Sequence, residues 1–358
     1  MRIRGWIFVL VIVLLMAIIV VSARIQPEAT SASVPASFAI LGDSTVTGAA
    51  IDSTLEATWA SLWNHLQIEQ QPRDGWKTNR VYYSQQEVED AFFFQRWGLK
   101  WRRKMARSLD QPEQGFAAQA ARELGLNANQ VLMTAQDGAK IETLSDQFQR
   151  IREWNRGELP ETTIVAFTAN DLCSDQVLSQ PLEHTLADFR AQQEEQWAAS
   201  MADFRASPAG SRILIVAPLS VTELVTNQEL LDQPVRLAGQ ITTCGHLRRG
   251  DGPRLSLWDW PLERMITRMC PAVSSTHPED QERIARIQAI QKGFAEIWRN
   301  TVAELNKRHV NEKFSFFFWN PPTDLRFTSG DLTNDCFHLS ARGHRKMAEA
   351  LVKTMGLK

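Results

Sequence analysis

Excess charge of either sign is missing from this chain: 39 lysines and arginines stand against 41 aspartates and glutamates, for a formal net charge of −2. A surface so balanced has no electrostatic grip on a polyanion, which excludes nucleic acid as a partner. Cysteine is scarce as well. Cys173, Cys244, Cys270 and Cys336 are the whole set, and they lack the close paired spacing of a zinc cluster, so no metal site is expected. No internal repeat is visible either, and the length suits one sizeable globular domain with insertions.

What is present is an alternation of short apolar runs with helical stretches. Phe38 to Leu41, Val131 to Thr134, Thr163 to Phe167, Arg212 to Ala217 and Phe314 to Trp319 read as strands, the last of them as a buried one. Glu282 to His309 reads as a long amphipathic helix and Ala341 to Met355 as the final one. That order predicts an α/β fold: a mostly parallel sheet flanked by helices in a three-layer α/β/α sandwich.

Four short segments carry the chemistry: Gly42-Asp43-Ser44-Thr45, Asp137-Gly138, Asn170-Asp171 and Asp335-Cys336-Phe337-His338. A serine hydroxyl is a weak nucleophile, so it needs an imidazole base, which in turn needs a carboxylate to fix its tautomer. Asp335 and His338, three residues apart, face the same side of one turn and suit that pair of roles. Ser44 follows an apolar run that ends in Gly42, which places it at the carboxyl end of a strand, where open α/β sheets bind their ligands. Acyl transfer also needs donors for a developing oxyanion, each contributing roughly 3 to 4 kcal/mol of barrier lowering. Gly138, whose N–H can approach a substrate without a side chain in the way, and the Asn170 side-chain amide are the candidates, with the Ser44 N–H. His344 is the rival base and is read as structural. Asn170-Asp171 alone would also suit a helix cap.

Taken together and in this order, the segments resemble the four blocks of the SGNH, or GDSL, hydrolase family from Ser37 to the C-terminus. Asn170-Asp171-Leu172-Cys173, Asp335-Cys336-Phe337-His338-Leu339-Ser340 with Gly343-His344, and Asp137-Gly138-Ala139 look most like its phospholipase B branch. The resemblance implies an SGNH, flavodoxin-like fold, with Ser44 as nucleophile, His338 as base, Asp335 as its orienter, and Ser44, Gly138 and Asn170 as oxyanion donors. Two positions depart from the family pattern. Thr45 replaces a leucine that carries no chemistry, and Thr168 stands where a glycine is usual, two residues before the asparagine.

Arg2 and Arg4 precede an uncharged apolar stretch from Trp6 to Val21, and Val21-Ser22-Ala23 suits signal cleavage. Residues 1–23 therefore read as a signal peptide or, preferred, an uncleaved membrane anchor with the arginines inside, 24–36 as a flexible tether, and 37–358 as the hydrolase domain. Export makes disulfides possible, with three pairings of the four cysteines. A Cys244–Cys270 bridge would staple an irregular insertion, and Cys173 with Cys336 would then flank the site.

Insertions at about 71–111 and 221–278 exceed a minimal core and are expected to frame the substrate. The first contains Phe92-Phe93-Phe94, Trp97 and Trp101 among Arg96, Lys100, Arg102, Arg103, Lys104 and Arg107. Its simpler reading is a helix with buried aromatics and a solvated basic face; the alternative is a surface that sits on anionic phospholipid. The expectation is an exported, cofactor-independent serine esterase, membrane-anchored or released, acting on phospholipid or lysophospholipid. The alternatives are a carbohydrate acetyl esterase of the envelope and an impaired, membrane-tethered lipid- or glycan-binding module.

Overall fold

The structure, a computed structural model, describes residues 36–48, 112–127, 130–136, 138–167, 169–173, 175–237, 240–249, 270, 280–322 and 325–356. The leader, nearly all of the tether, the 71–111 insertion with its aromatic and basic cluster, Asp137, Thr168 and much of the 221–278 insertion lie outside the described residues.

The five apolar runs form one parallel sheet: β1 (Phe38–Gly42), β2 (Val131–Met133), β3 (Thr162–Ala166), β4 (Ser211–Val216) and, beyond a separate antiparallel hairpin β5 (Pro234–Leu237) and β6 (Gln240–Thr243), β7 (Phe314–Trp319). The order across the sheet is β2-β1-β3-β4-β7, with Phe38 opposite Thr162, Gly42 opposite Ala166 and Ile213 opposite Phe316. Every neighbouring pair is parallel, so all five carboxyl ends lie along one edge. The order reverses between β1 and β3, and that is where open sheets of this type bind ligands.

Successive residues of a strand point to opposite faces, and the core divides accordingly. Ala39, Leu41, Val165, Ile213 and Ile215 join one cluster; Phe38, Ile40, Ile164, Leu214 and Val216 join the other. The strands read as continuous apolar runs because both faces are covered. The first cluster also contains residues of α3 (Leu144–Trp154), α4 (Leu182–Met201) and α6 (Gln281–Arg308), where Phe148, Trp197 and Trp298 are fully buried. The second contains residues of α2 (Phe116–Glu123) and α7 (Ala341–Met355), including Phe116, Met347 and Leu351. These are the three layers that right-handed crossovers require. Truncating a ring such as Phe148 to alanine would cost about 3 to 5 kcal/mol.

One strand differs from expectation. β7 is not buried throughout: among the described residues it is an edge strand, paired with β4 alone, and Phe317 is 40 % exposed. Phe314 and Phe316, with partly buried Phe318, join the core on one face and Trp319 joins it on the other, while Ser315 and Phe317 are left exposed.

Candidate active site

At the end of β1 the chain turns sharply. Gly42 has φ +142°, and a Cβ built there would stand 2.1 Å from the Ala166 carbonyl oxygen, so only glycine fits. Asp43 then caps a four-residue helix, α1 (Ser44–Thr47): its Oδ1 accepts from the Thr45 amide at 2.9 Å and from Thr45 Oγ1 at 2.6 Å. Ser44 is therefore held at the first position of α1, 6 % exposed. Its N–H has no acceptor among the described residues.

The three strand-end loops on this side are tied into a ring. From the β1 loop, Asp43 Oδ2 accepts from the Ala169 amide of the β3 loop at 3.2 Å. The β3 loop reaches the β2 loop through Asn170 Nδ2, which donates to the Ala139 carbonyl at 3.1 Å, and through Asp171, whose Oδ2 accepts from the Ile141 amide at 3.1 Å. The β2 loop returns to β1 through the Gln136 amide, which donates to the Gly42 carbonyl at 3.0 Å. Below the ring, buried Gln147 pairs with the same glycine, accepting from its N–H at 2.8 Å and donating to its carbonyl at 3.0 Å. Desolvation pushes the Asp171 carboxyl up to about 7 against the pull of the Ile141 amide and Lys140. Gly138 lies within the ring at φ +74° with open space around it. That positive φ is a backbone conformation that favours glycine.

Asp335 and His338 form the second part. His338 Nδ1 lies 2.7 Å from Asp335 Oδ2, while Asp335 Oδ1 accepts from the Phe337 and His338 amides, each at 2.9 Å, and from the Thr333 hydroxyl. Burial opposes charge on Asp335, but His338 and these donors outweigh it and hold the carboxyl at about 2. The carboxylate is thus ionised across the physiological range and fixes the proton on Nδ1, which leaves the lone pair on Nε2.

This loop follows the far edge strand, yet it comes back across the sheet. Leu332 and Leu339 pair at its base, and α7 then packs along α2, which itself touches α1. Fully buried His344 accepts from the Phe116 amide through Nδ1 at 3.1 Å, so it anchors α7 to α2. Its burial lowers the imidazole to about 3, which keeps it neutral.

Two disulfides hold the loops from outside, and their pairing corrects the expectation. Cys173 is joined to Cys270 and Cys244 to Cys336, with Cα separations of 4.5 and 5.4 Å. Neither the Cys244–Cys270 nor the Cys173–Cys336 bridge forms. The reason is the docking of the second insertion on the Asp335–His338 loop. Gln233, just before β5, accepts from the Gly330 amide at 2.8 Å and donates to the Leu332 carbonyl at 2.9 Å, and its own carbonyl accepts from Cys244 N at 3.0 Å. Cys244 opens α5 (Cys244–Arg249) directly against Cys336, which has the left-handed φ of 61°. The insertion is stapled to both functional loops instead of to itself.

Sequence reasoning missed Asp43, Gln147, Thr333 and Gln233 as positioning groups. Asp43 alone had a local signal, the Asp-Ser-Thr spacing of an N-cap. Thr333 acts on Asp335 only two residues away, whereas Gln147 and Gln233 reach partners 105 and 97 positions distant. Among the described residues, no group of three His, Cys, Asp or Glu side chains is arranged to hold a metal ion, and no helix is long and apolar enough to cross a membrane.

Strand order and loop placement define a three-layer α/β protein with a ligand edge at its switch point. The family model of GDSL-like lipase/acylhydrolases matches residues 38–351, and the chain belongs to that family. Membership supports ester hydrolase activity. No curated relative matches. Among solved structures, the extracellular lipase from Streptomyces rimosus is similar, with 12 % identity, a TM-score of 0.40, and coverage of 89 % of this chain and 99 % of that one.

Proposed function

We propose that the protein is an exported serine esterase that cleaves phospholipid or lysophospholipid acyl esters through Ser44, His338 and Asp335. Ser44 Oγ attacks the ester carbonyl carbon while its proton passes to His338 Nε2. The tetrahedral oxyanion is met by the Ser44 and Gly138 N–H groups and by the Asn170 N–H not used on Ala139. His338 returns the proton to the leaving alcohol, and an acyl-enzyme remains. Water then attacks, giving its proton to His338, and Ser44 leaves with that proton while the fatty acid departs. No cofactor takes part in these steps.

The observation that carries this reading is the 2.7 Å contact between His338 Nδ1 and an Asp335 carboxylate already held by three other donors. A histidine so oriented is a base with one nitrogen assigned. Phospholipid as the substrate is supported by the likeness of residues 170–173 and 335–340 to the phospholipase B branch. Export is supported by the apolar leader and by two disulfides, which persist in oxidising compartments.

The test is fluorophosphonate labelling of the full-length, disulfide-intact protein, followed by acyl release from lysophospholipid and from acetylated sugar. Labelling that disappears in Ser44→Ala, with turnover of lysophospholipid, is the expected result. Equal labelling of Ser44→Ala would remove Ser44 from the mechanism, and turnover of acetylated sugar alone would move the substrate class to carbohydrate esters.

A further inference from the structure

Arg248 is 8 % exposed, and its Nε and Nη2 are buried with no hydrogen-bond acceptor among the described residues. A buried guanidinium is ordinarily paired, because taking its charge out of water is costly unless an anion and good hydrogen bonds replace the solvent. Its place in the fold is specific. Arg248 lies in the last turn of α5, four residues after Cys244 and so on the same helix face. Cys244 is bonded to Cys336, the residue between Asp335 and the Phe337-His338 pair. The second insertion therefore delivers a cation within about one helical turn of the loop that carries the dyad.

Asp335 is the anion that faces this cation, and it does not satisfy it. Oδ1 already accepts from Thr333, Phe337 and His338, and Oδ2 holds the imidazole. Desolvation lowers Arg248 to about 10, with Asp335 opposing the shift, so the guanidinium remains charged at physiological pH. A cation fixed beside the dyad, with Nε and Nη2 unused among the described residues, is complementary to an anion that arrives with the substrate.

We propose that Arg248 binds the phosphate of the substrate's headgroup, setting the register of the acyl ester against Ser44. The planar fork of arginine matches two phosphate oxygens at once. This rests on the phospholipid reading above and sharpens it, since a neutral acetylated sugar would bring no anion to pair with the guanidinium.

The test compares kcat/KM on a lysophospholipid and on a monoacylglycerol of the same chain length, in the full-length, disulfide-intact protein and in Arg248→Lys and Arg248→Met. The preference for the phosphate ester should fall about 10- to 100-fold in Arg248→Met, mostly through KM, and less in Arg248→Lys, which keeps the charge but not the fork. A preference unchanged in folded Arg248→Lys and Arg248→Met, or an equal loss on both esters, overturns the assignment. A second arm is independent of turnover: Ser44→Ala is titrated calorimetrically with glycerophosphocholine and with inorganic phosphate, and again with Arg248→Lys added. Weaker glycerophosphocholine binding in the double variant supports the proposal even if neither ester is hydrolysed, an outcome that would sink only the catalytic reading. Inorganic phosphate binding as tightly as glycerophosphocholine would overturn the headgroup assignment in favour of free phosphate.

Discussion

Around Ser44 the loops are held mainly by hydrogen bonds to one another, whereas around His338 the loop is held from outside, by the Cys244–Cys336 disulfide, by Asn227 and Gln233 of the second insertion, and by Arg342 and Lys346 of α7 on buried Asp331. The difference follows from distance to the sheet. β1, β2 and β3 are adjacent, so the loops leaving their carboxyl ends start within hydrogen-bond reach, and Asp43, Asn170 and Asp171 close the ring. The Asp335–His338 loop leaves an edge strand on the far side of the sheet and has to cross back. It has no strand neighbour to bond to, and the second insertion supplies the anchors instead, through Gln233 and Cys244. An insertion that began as an addition to the core thus supports half of the site.

The comparison is broken most severely at the dyad. His338→Ala should reduce turnover about 10⁴-fold or more with little change in thermal midpoint, measured as acyl release beside a melting curve. On the ring side, Asn170→Ala removes one donor from the proposed oxyanion hole and should cost about 100- to 1,000-fold in kcat, with KM nearly constant.

The disulfides separate stability from positioning. Their sequence separations are 92 and 97 residues, so the chain-entropy argument assigns each about the same stabilisation, roughly 4 to 5 kcal/mol. Paired Cys→Ser replacements at Cys244 and Cys336 or at Cys173 and Cys270 should lower denaturation midpoints alike. The first pair should lower kcat more, since it frees the segment beside Asp335 and His338. Equal kcat losses would show that the staple beside the dyad has no special role. Asp43→Ala, which removes a helix cap, should cost about 1 kcal/mol from the cap alone, read from urea unfolding.

A further effect is one of pH. In the folded protein His344 has its imidazole lowered from 6.5 to about 3, so between those values the unfolded chain binds a proton that the folded one refuses. That part of the stability is present above pH 6.5 and is lost as the pH falls towards 3. His344→Asn keeps an acceptor for the Phe116 amide without the titration, so its unfolding free energy should depend less steeply on pH over this window.

Much of the fold was legible because its signals are local. The five apolar runs became the five strands within a residue or so, and the final helix spans Ala341–Met355 as read from its pattern. The turn at Gly42 was legible too, since a strand and the tight glycine turn that ends it are written in adjacent residues. The partial exposure of β7 was not, because an apolar run carries no mark of whether one or two strands will lie beside it.

By itself, then, the sequence determined the elements, the glycine turn after β1 and the pairing of Asp335 with His338, all set by residues within a few positions of one another. Only the tertiary structure decided which cysteines meet, that Asn170 and Asp171 tie the β3 loop to the β2 loop, that His344 braces α7 against Phe116, and that Arg248 is buried near the dyad. Those contacts join residues about 30 to 230 positions apart. Their formation depends on strand order and on where an insertion docks, which no local pattern of residues records.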